Sequence, residues 1–177
     1  AAEARAQIVV TPYLDTNGAG DVETGRAGVG VSAGYYFRGL LGLELDVEQH
    51  PHFFKDEDVE DVGPERADLN TDATIWMANL VAPLCIRRAG VWCPYGAAGL
   101  GVIHAVFDAD PDFNVTQNNL AFNAGGGLMH ALTDLVGVRV DVRYFHAFVD
   151  EDAGEGGYFK DYGFWRISAG VTIGFPD

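Results

Sequence analysis

The residues from Leu135 to Phe175 alternate so strictly that a single kind of backbone fits them. Val136, Val138, Val140, Val142 and Tyr144 form one set, and Gly137, Arg139, Asp141 and Arg143 form the set between them. After an acidic, glycine-containing break, Trp165, Ile167, Ala169, Val171, Ile173 and Phe175 alternate with Arg166, Ser168, Gly170, Thr172 and Gly174. A period of two puts successive side chains on opposite faces of a β-strand. Strands this long, with one wholly apolar face and another of small and charged residues, predict a closed barrel whose apolar side meets lipid.

The same pattern recurs along the chain. It predicts an all-β fold, an eight-stranded antiparallel up-and-down transmembrane β-barrel, built as one domain over residues 1–177. The expected strands are 5–14, 24–37, 40–54, 72–85, 91–107, 119–132, 135–149 and 162–175. In the second segment Ala27, Val29, Val31, Ala33, Tyr35 and Phe37 alternate with Gly28, Gly30, Ser32 and Gly34, and such glycines suit a crowded barrel interior. In the third, Leu41, Leu43, Leu45 and Val47 alternate with Gly42, Glu44, Asp46, Glu48 and His50. The fourth alternates least well, with Trp76, Ala78, Leu80 and Ala82 expected outside and Asn79 inside.

The connections after the second, fourth and sixth segments are expected to be tight. Those after the first, third, fifth and seventh are longer and include the acidic stretches Lys55 to Thr71, Asp108 to Asn118 and Asp150 to Asp161. All the long connections then emerge at one end, the asymmetry of a bacterial outer-membrane barrel with both termini on the periplasmic side. Tyr35, Tyr36, Phe37, Phe53, Phe54, Tyr144, Phe145, Phe148, Tyr158, Phe159, Tyr162, Phe164 and Trp165 gather mostly near segment ends, where an interfacial aromatic girdle is expected.

Composition narrows the functional classes. No run approaches the roughly eighteen uninterrupted apolar residues of a spanning helix, so membrane residence must come from strands. The net charge of −15 argues against nucleic acid as a partner and favours cations or basic proteins. A hairpin turning at Arg88, Ala89 and Gly90, with the glycine left-handed, sets Cys85 opposite Cys93. Opposed cysteines of an antiparallel pair come close enough for a disulfide, which points to an oxidising compartment; two reduced thiols in a cytosolic hairpin are the alternative. The start Ala-Ala-Glu-Ala-Arg-Ala-Gln fits a mature chain already cleaved after a small-residue site, as a trimmed chain also would.

Alternation does not say which face is inside. A soluble, lipocalin-like carrier of an apolar ligand would line its cavity with the valines. The polar face argues otherwise, being rich in glycine and in both signs of charge. Turned inward, Glu44, Asp46, Glu48 and Asp141 share a closed space with Arg139, Arg143 and Arg166. Arginine forks match carboxylates, and a buried charge left alone is costly, so an interior ionic network is expected. An eight-stranded interior is just wide enough for side chains to fill it.

Gly34-Tyr35-Tyr36-Phe37, Leu41-Gly42-Leu43-Glu44-Leu45-Asp46, Tyr95-Gly96-Ala97-Ala98-Gly99-Leu100-Gly101 and the ending Ser168-Ala169-Gly170-Val171-Thr172-Ile173-Gly174-Phe175 stand in a telling order. With them the chain resembles the small outer-membrane β-barrel family of Gram-negative bacteria, which includes the OmpA transmembrane domain and the OmpX and opacity-type proteins. The resemblance implies a porin-like membrane fold, outer-membrane lipid and lipopolysaccharide as surroundings, and Phe175 as the aromatic near the end that the insertion machinery reads.

Catalysis is not expected. His104, His130 and His146 are followed two positions on by Val106, Leu132 and Phe148, so none makes the His-x-Ser arrangement of a lipid deacylase. Candidate metal ligands are His50 and His52 around Pro51, and Asp108, Asp110 and Asp112, whose oxygens alternate without the glycine and glutamate of an EF-hand. The expectation is no resident cofactor, with a divalent cation at the acidic loops the one exception considered. Two functional classes follow: a structural or surface-interaction protein with acidic external loops that present a binding surface to a protein partner, and a narrow gated channel for ions or small solutes.

Overall fold

A computed structural model of the chain describes residues 7–22, 24–37, 41–51, 70–85, 90–110, 113–148 and 161–176. The alternating segments pair with their sequence neighbours and form eight strands: β1 (Gln7–Gly20), β2 (Ala27–Phe37), β3 (Leu41–His50), β4 (Asn70–Pro83), β5 (Trp92–Asp110), β6 (Phe113–Ala131), β7 (Val136–Phe148) and β8 (Tyr162–Pro176). Every pairing is antiparallel, and β8 returns to β1 to close the barrel. Closure satisfies both edges of every strand, which backbone in hydrocarbon requires. No helix among the described residues is long and apolar enough to cross a membrane.

Closure also decides the faces. Leu43, Leu45, Trp76, Leu80, Leu100, Val140, Val142, Ile167 and Val171 are exposed on the outer wall, while Glu44, Asp46, Arg143 and Arg166 are buried inside. The valines of β7 therefore line no cavity. Aromatic pairs mark the outer wall near its ends: Trp92 stacks on His130 at 4.5 Å, and Tyr144, His146, Phe122, Phe148 and Trp165 form a contiguous group. Tyr36, Phe145, Tyr162 and Phe164 do not join that girdle but are buried inside, because each occupies the inward register of its strand. Phe53, Phe54, Tyr158 and Phe159 lie outside the described residues.

Several strand limits differ from the sequence expectation. β1 runs on to Gly20 instead of stopping at residue 14, since Asp15 and Asn17 continue the inward set and pair with Ser168 and Arg166 of β8. The stretch Asp108 to Asn118 is mostly hairpin and not loop: Phe107 pairs with Val115 and Asp108 with Asn114, and a register shift follows at Asp108/Asp110. The link between β5 and β6 is thus residues 111–112, shorter than the β4–β5 connection. The simple alternation of short and long connections fails there. A run of acidic residues stops a strand in lipid but not one that has passed beyond it.

At the other end Gly90 adopts φ +79°, the left-handed conformation its hairpin needs, and Cys85 and Cys93 are joined by a disulfide with their Cα atoms 5.5 Å apart.

Candidate functional site: the barrel interior

Side chains from opposite walls meet along the barrel axis. β3 and β7 lie four strands apart in a ring of eight, so Glu44 and Arg139 face each other across the full diameter. The Arg139 guanidinium forks onto Glu44, with Nη1 donating to Oε2 and Nη2 lying 3.2 Å from Oε1. Arg143 donates from Nη2 to Glu44 Oε1 at 3.0 Å and from Nε to Asp141 Oδ2 at 3.1 Å. Arg166, entering from β8, donates from Nη1 to Glu48 Oε2 and reaches Asp46 Oδ2 from Nη2 at 3.4 Å. Forked and shared donors of this kind make strong, directional contacts in a low-dielectric interior.

Two tyrosines complete the network. Tyr13 donates its hydroxyl to Asp46, and its oxygen lies 3.3 Å from Arg166 Nη1, which donates to it. Tyr95 donates to Asp141 and accepts from Arg139 Nε at 2.7 Å. Both rings also carry a guanidinium, Arg139 at 4.7 Å from the Tyr95 centroid and Arg166 at 5.3 Å from that of Tyr13. Each tyrosine rests on a glycine directly across the ladder, Tyr13 on Gly30 and Tyr95 on Gly127, as Tyr36 does on Gly42. The glycine-rich inner face is therefore a bed for tyrosines.

Around this polar layer lie two apolar clusters, and Asp15, Asn17, His50 and Asn119 are also buried inside. Ile75, Ile103, Phe145 and Phe164 pack toward the end at which β3 finishes, with the Phe145 and Phe164 rings stacked at 5.1 Å. Val9, Tyr36, Val81, Cys93 and Met129 pack toward the other end. Between them a cavity bounded by Thr11, Ser32, Glu44, Arg143 and Ser168 has a volume of about 10 Å³, about the room of one water molecule.

Glu44, Asp46, Glu48, Arg139, Asp141, Arg143 and Arg166, the residues read from sequence as an interior set, are all buried here and joined to one another. Tyr13, Tyr95 and Asp15 escaped that reading. Tyr13 and Tyr95 are flagged only by cross-strand glycines, which need the register, and Asp15 was masked by its resemblance to a turn residue.

Of the candidate metal ligands, His50 turns inward from the last position of β3, with Nε2 3.1 Å from Asp15 Oδ1 and 3.5 Å from Glu48 Oε1. His52 and Asp112 lie outside the described residues, as do the side chains of Asp108 and Asp110. The remaining histidines are on the outer wall: His104 meets Asn118 at 2.7 Å, and His130 and His146 belong to the aromatic groups.

The chain is similar to Neisserial surface protein A, with 17% identity over 96% of this chain and 99% of that one and a TM-score of 0.68. It is also similar to the N-terminal β-barrel domain of OprF from Pseudomonas aeruginosa, with 16% identity over 96% and 97% and a TM-score of 0.64. A third likeness is to Ail, the attachment invasion locus protein of Yersinia pestis, with 15% identity over 96% and 99% and a TM-score of 0.53. These likenesses concern the fold. No curated protein matches by sequence. The family model described as the outer membrane protein beta-barrel domain matches residues 3–175, which takes in the strands described above but for the last residue of β8, and the chain belongs to that family.

Proposed function

We propose that this protein is a closed, non-catalytic barrel of the bacterial outer membrane with a structural and surface-interaction role, its interior plugged by the ionic network. The supporting observation is the pairing of Glu44 with Arg139 and Arg143 across the barrel, beside a cavity of only about 10 Å³. A hydrated ion needs a continuous polar path, and the stacked Phe145 and Phe164 rings are buried toward one end of the interior.

In this reading the termini are periplasmic and the segments following β1, β3 and β7 face the exterior. Ail was crystallised with the heparin analogue sucrose octasulfate, a polyanion. A chain with net charge −15 favours the opposite sign, and its acidic segments suit a basic protein partner or divalent cations shared with lipopolysaccharide phosphates.

Single-channel recording in planar bilayers tests the plug. The refolded protein is expected to leave the baseline conductance unchanged. Discrete conductance steps that shift on Glu44→Gln or Arg139→Ala would overturn it in favour of a gated channel, for which the sharing of Glu44 between two guanidiniums is the supporting observation. An epitope inserted within 149–161 is expected to be accessible on intact cells, and accessibility only after lysis would reverse the orientation.

A further inference from the structure

The interior charges do not balance. Asp15, Glu44, Asp46, Glu48 and Asp141 are five buried carboxylates against three buried guanidiniums, so with all of them ionised two negative charges are left over among the described residues (5 − 3 = 2). The excess has a location. Asp15 meets no guanidinium within ion-pair distance among the described residues, and the ionisable groups beside it are His50 and, beyond it, Glu48.

We propose that Asp15, Glu48 and His50 form a binding site for a divalent transition-metal ion of the zinc class, inside the barrel near the end where β3 finishes. One ligand atom from each lies within 4.8 Å of the others. Ligands about 2.1 Å from a tetrahedral metal stand about 3.4 Å apart, so a small inward movement closes the set. The donors are an imidazole nitrogen and carboxylate oxygens, which suit zinc and its neighbours better than calcium or magnesium, whose sites are built from oxygen.

The surroundings orient these ligands. Arg166 holds Glu48 by Oε2, which leaves Oε1, buried and without a hydrogen-bond partner among the described residues, on the side of His50. This is the outer-shell support that ligating carboxylates need. Gly28 of β2 lies beneath the cluster, and any Cβ there would overlap both the His50 ring and the Asp15 carboxylate. One inward step along β1, Asn17 is 1% exposed, and neither of its amide atoms makes a hydrogen bond among the described residues. A divalent ion held by a neutral imidazole adds two positive charges, which is the size of the deficit.

Refolding the full chain in detergent with Zn²⁺, then removing loose metal on a chelating resin, tests the site without requiring an ion to enter a closed barrel. Elemental analysis is expected to find one zinc per chain, with D15N and H50Q lowering the affinity at least about tenfold to 100-fold while keeping the heat-modifiable migration of a folded barrel. Changing Asp150 and Glu151 to their amides is expected to leave zinc retention unchanged. Should a substitution prevent folding, Co²⁺ in the unsubstituted protein decides: the visible bands of a four-coordinate site with imidazole ligation support the proposal. An all-oxygen, six-coordinate spectrum, no retained zinc, or equal retention by D15N and H50Q would overturn it.

Discussion

Tyr13 lies across Gly30 because any Cβ at residue 30 would overlap its phenol ring. Gly30→Val therefore displaces the ring and takes its hydroxyl from Asp46. Urea unfolding in lipid vesicles is expected to show a loss of about 1–3 kcal/mol, the range for overpacking a filled interior. An unchanged midpoint would mean that the tyrosine has room elsewhere. The Glu44–Arg139 fork makes a second, sharper prediction. Either Glu44→Met or Arg139→Met alone breaks the buried fork, leaving Glu44 only Arg143 or Arg139 only Asp141 as its ionic partner, and is expected to cost about 3–5 kcal/mol, whereas the double substitution costs less than the sum of the two. If the two single losses simply add, the pair is not coupled. Glu44, Asp46, Arg139, Arg143 and Arg166 were legible as one interior set from their inward register alone. Asp15 was not, because aspartate before asparagine and glycine reads locally as a turn, and only the pairing of β1 with β8 shows the strand continuing.

Each strand is two surfaces with different solvents. Leu45 stands mid-strand on the outer wall of β3, 65% exposed between the inward Glu44 and Asp46. Leu45→Arg is expected to destabilise folding into vesicles by about 2–4 kcal/mol, the cost of a cation near the bilayer midplane. The same substitution in a soluble barrel would be nearly silent, so a change below about 0.5 kcal/mol, the range for exposed surface sites, would count against lipid contact. The existence of all the strands and the identity of their faces could be read in advance, down to the poorly alternating β4 with Asn79 inside and Trp76 outside. Their ends could not. β5 and β6 reach Asp110 and Phe113 because paired backbone continues in water as readily as in lipid, and residue type marks the change of solvent but not the end of pairing.

As a whole molecule, the barrel has no free edge, since β1 is paired on both sides by β2 and β8. Unfolding must break that closure cooperatively, so the unboiled protein is expected to migrate faster than the boiled one in detergent gels. Identical migration, or recovery in the aqueous fraction without detergent, would sink the membrane barrel. The all-β class, the antiparallel order, the outward valines and the opposed cysteines were all readable from the chain, because a period of two and a short hairpin are local properties of the backbone. Which charges meet was decided by closure. Glu44 and Arg139 are 95 residues apart, and Asp15, Glu48 and His50 come from strands that β2 separates. Such contacts depend on the stagger with which the last strand meets the first, and no local pattern encodes that stagger.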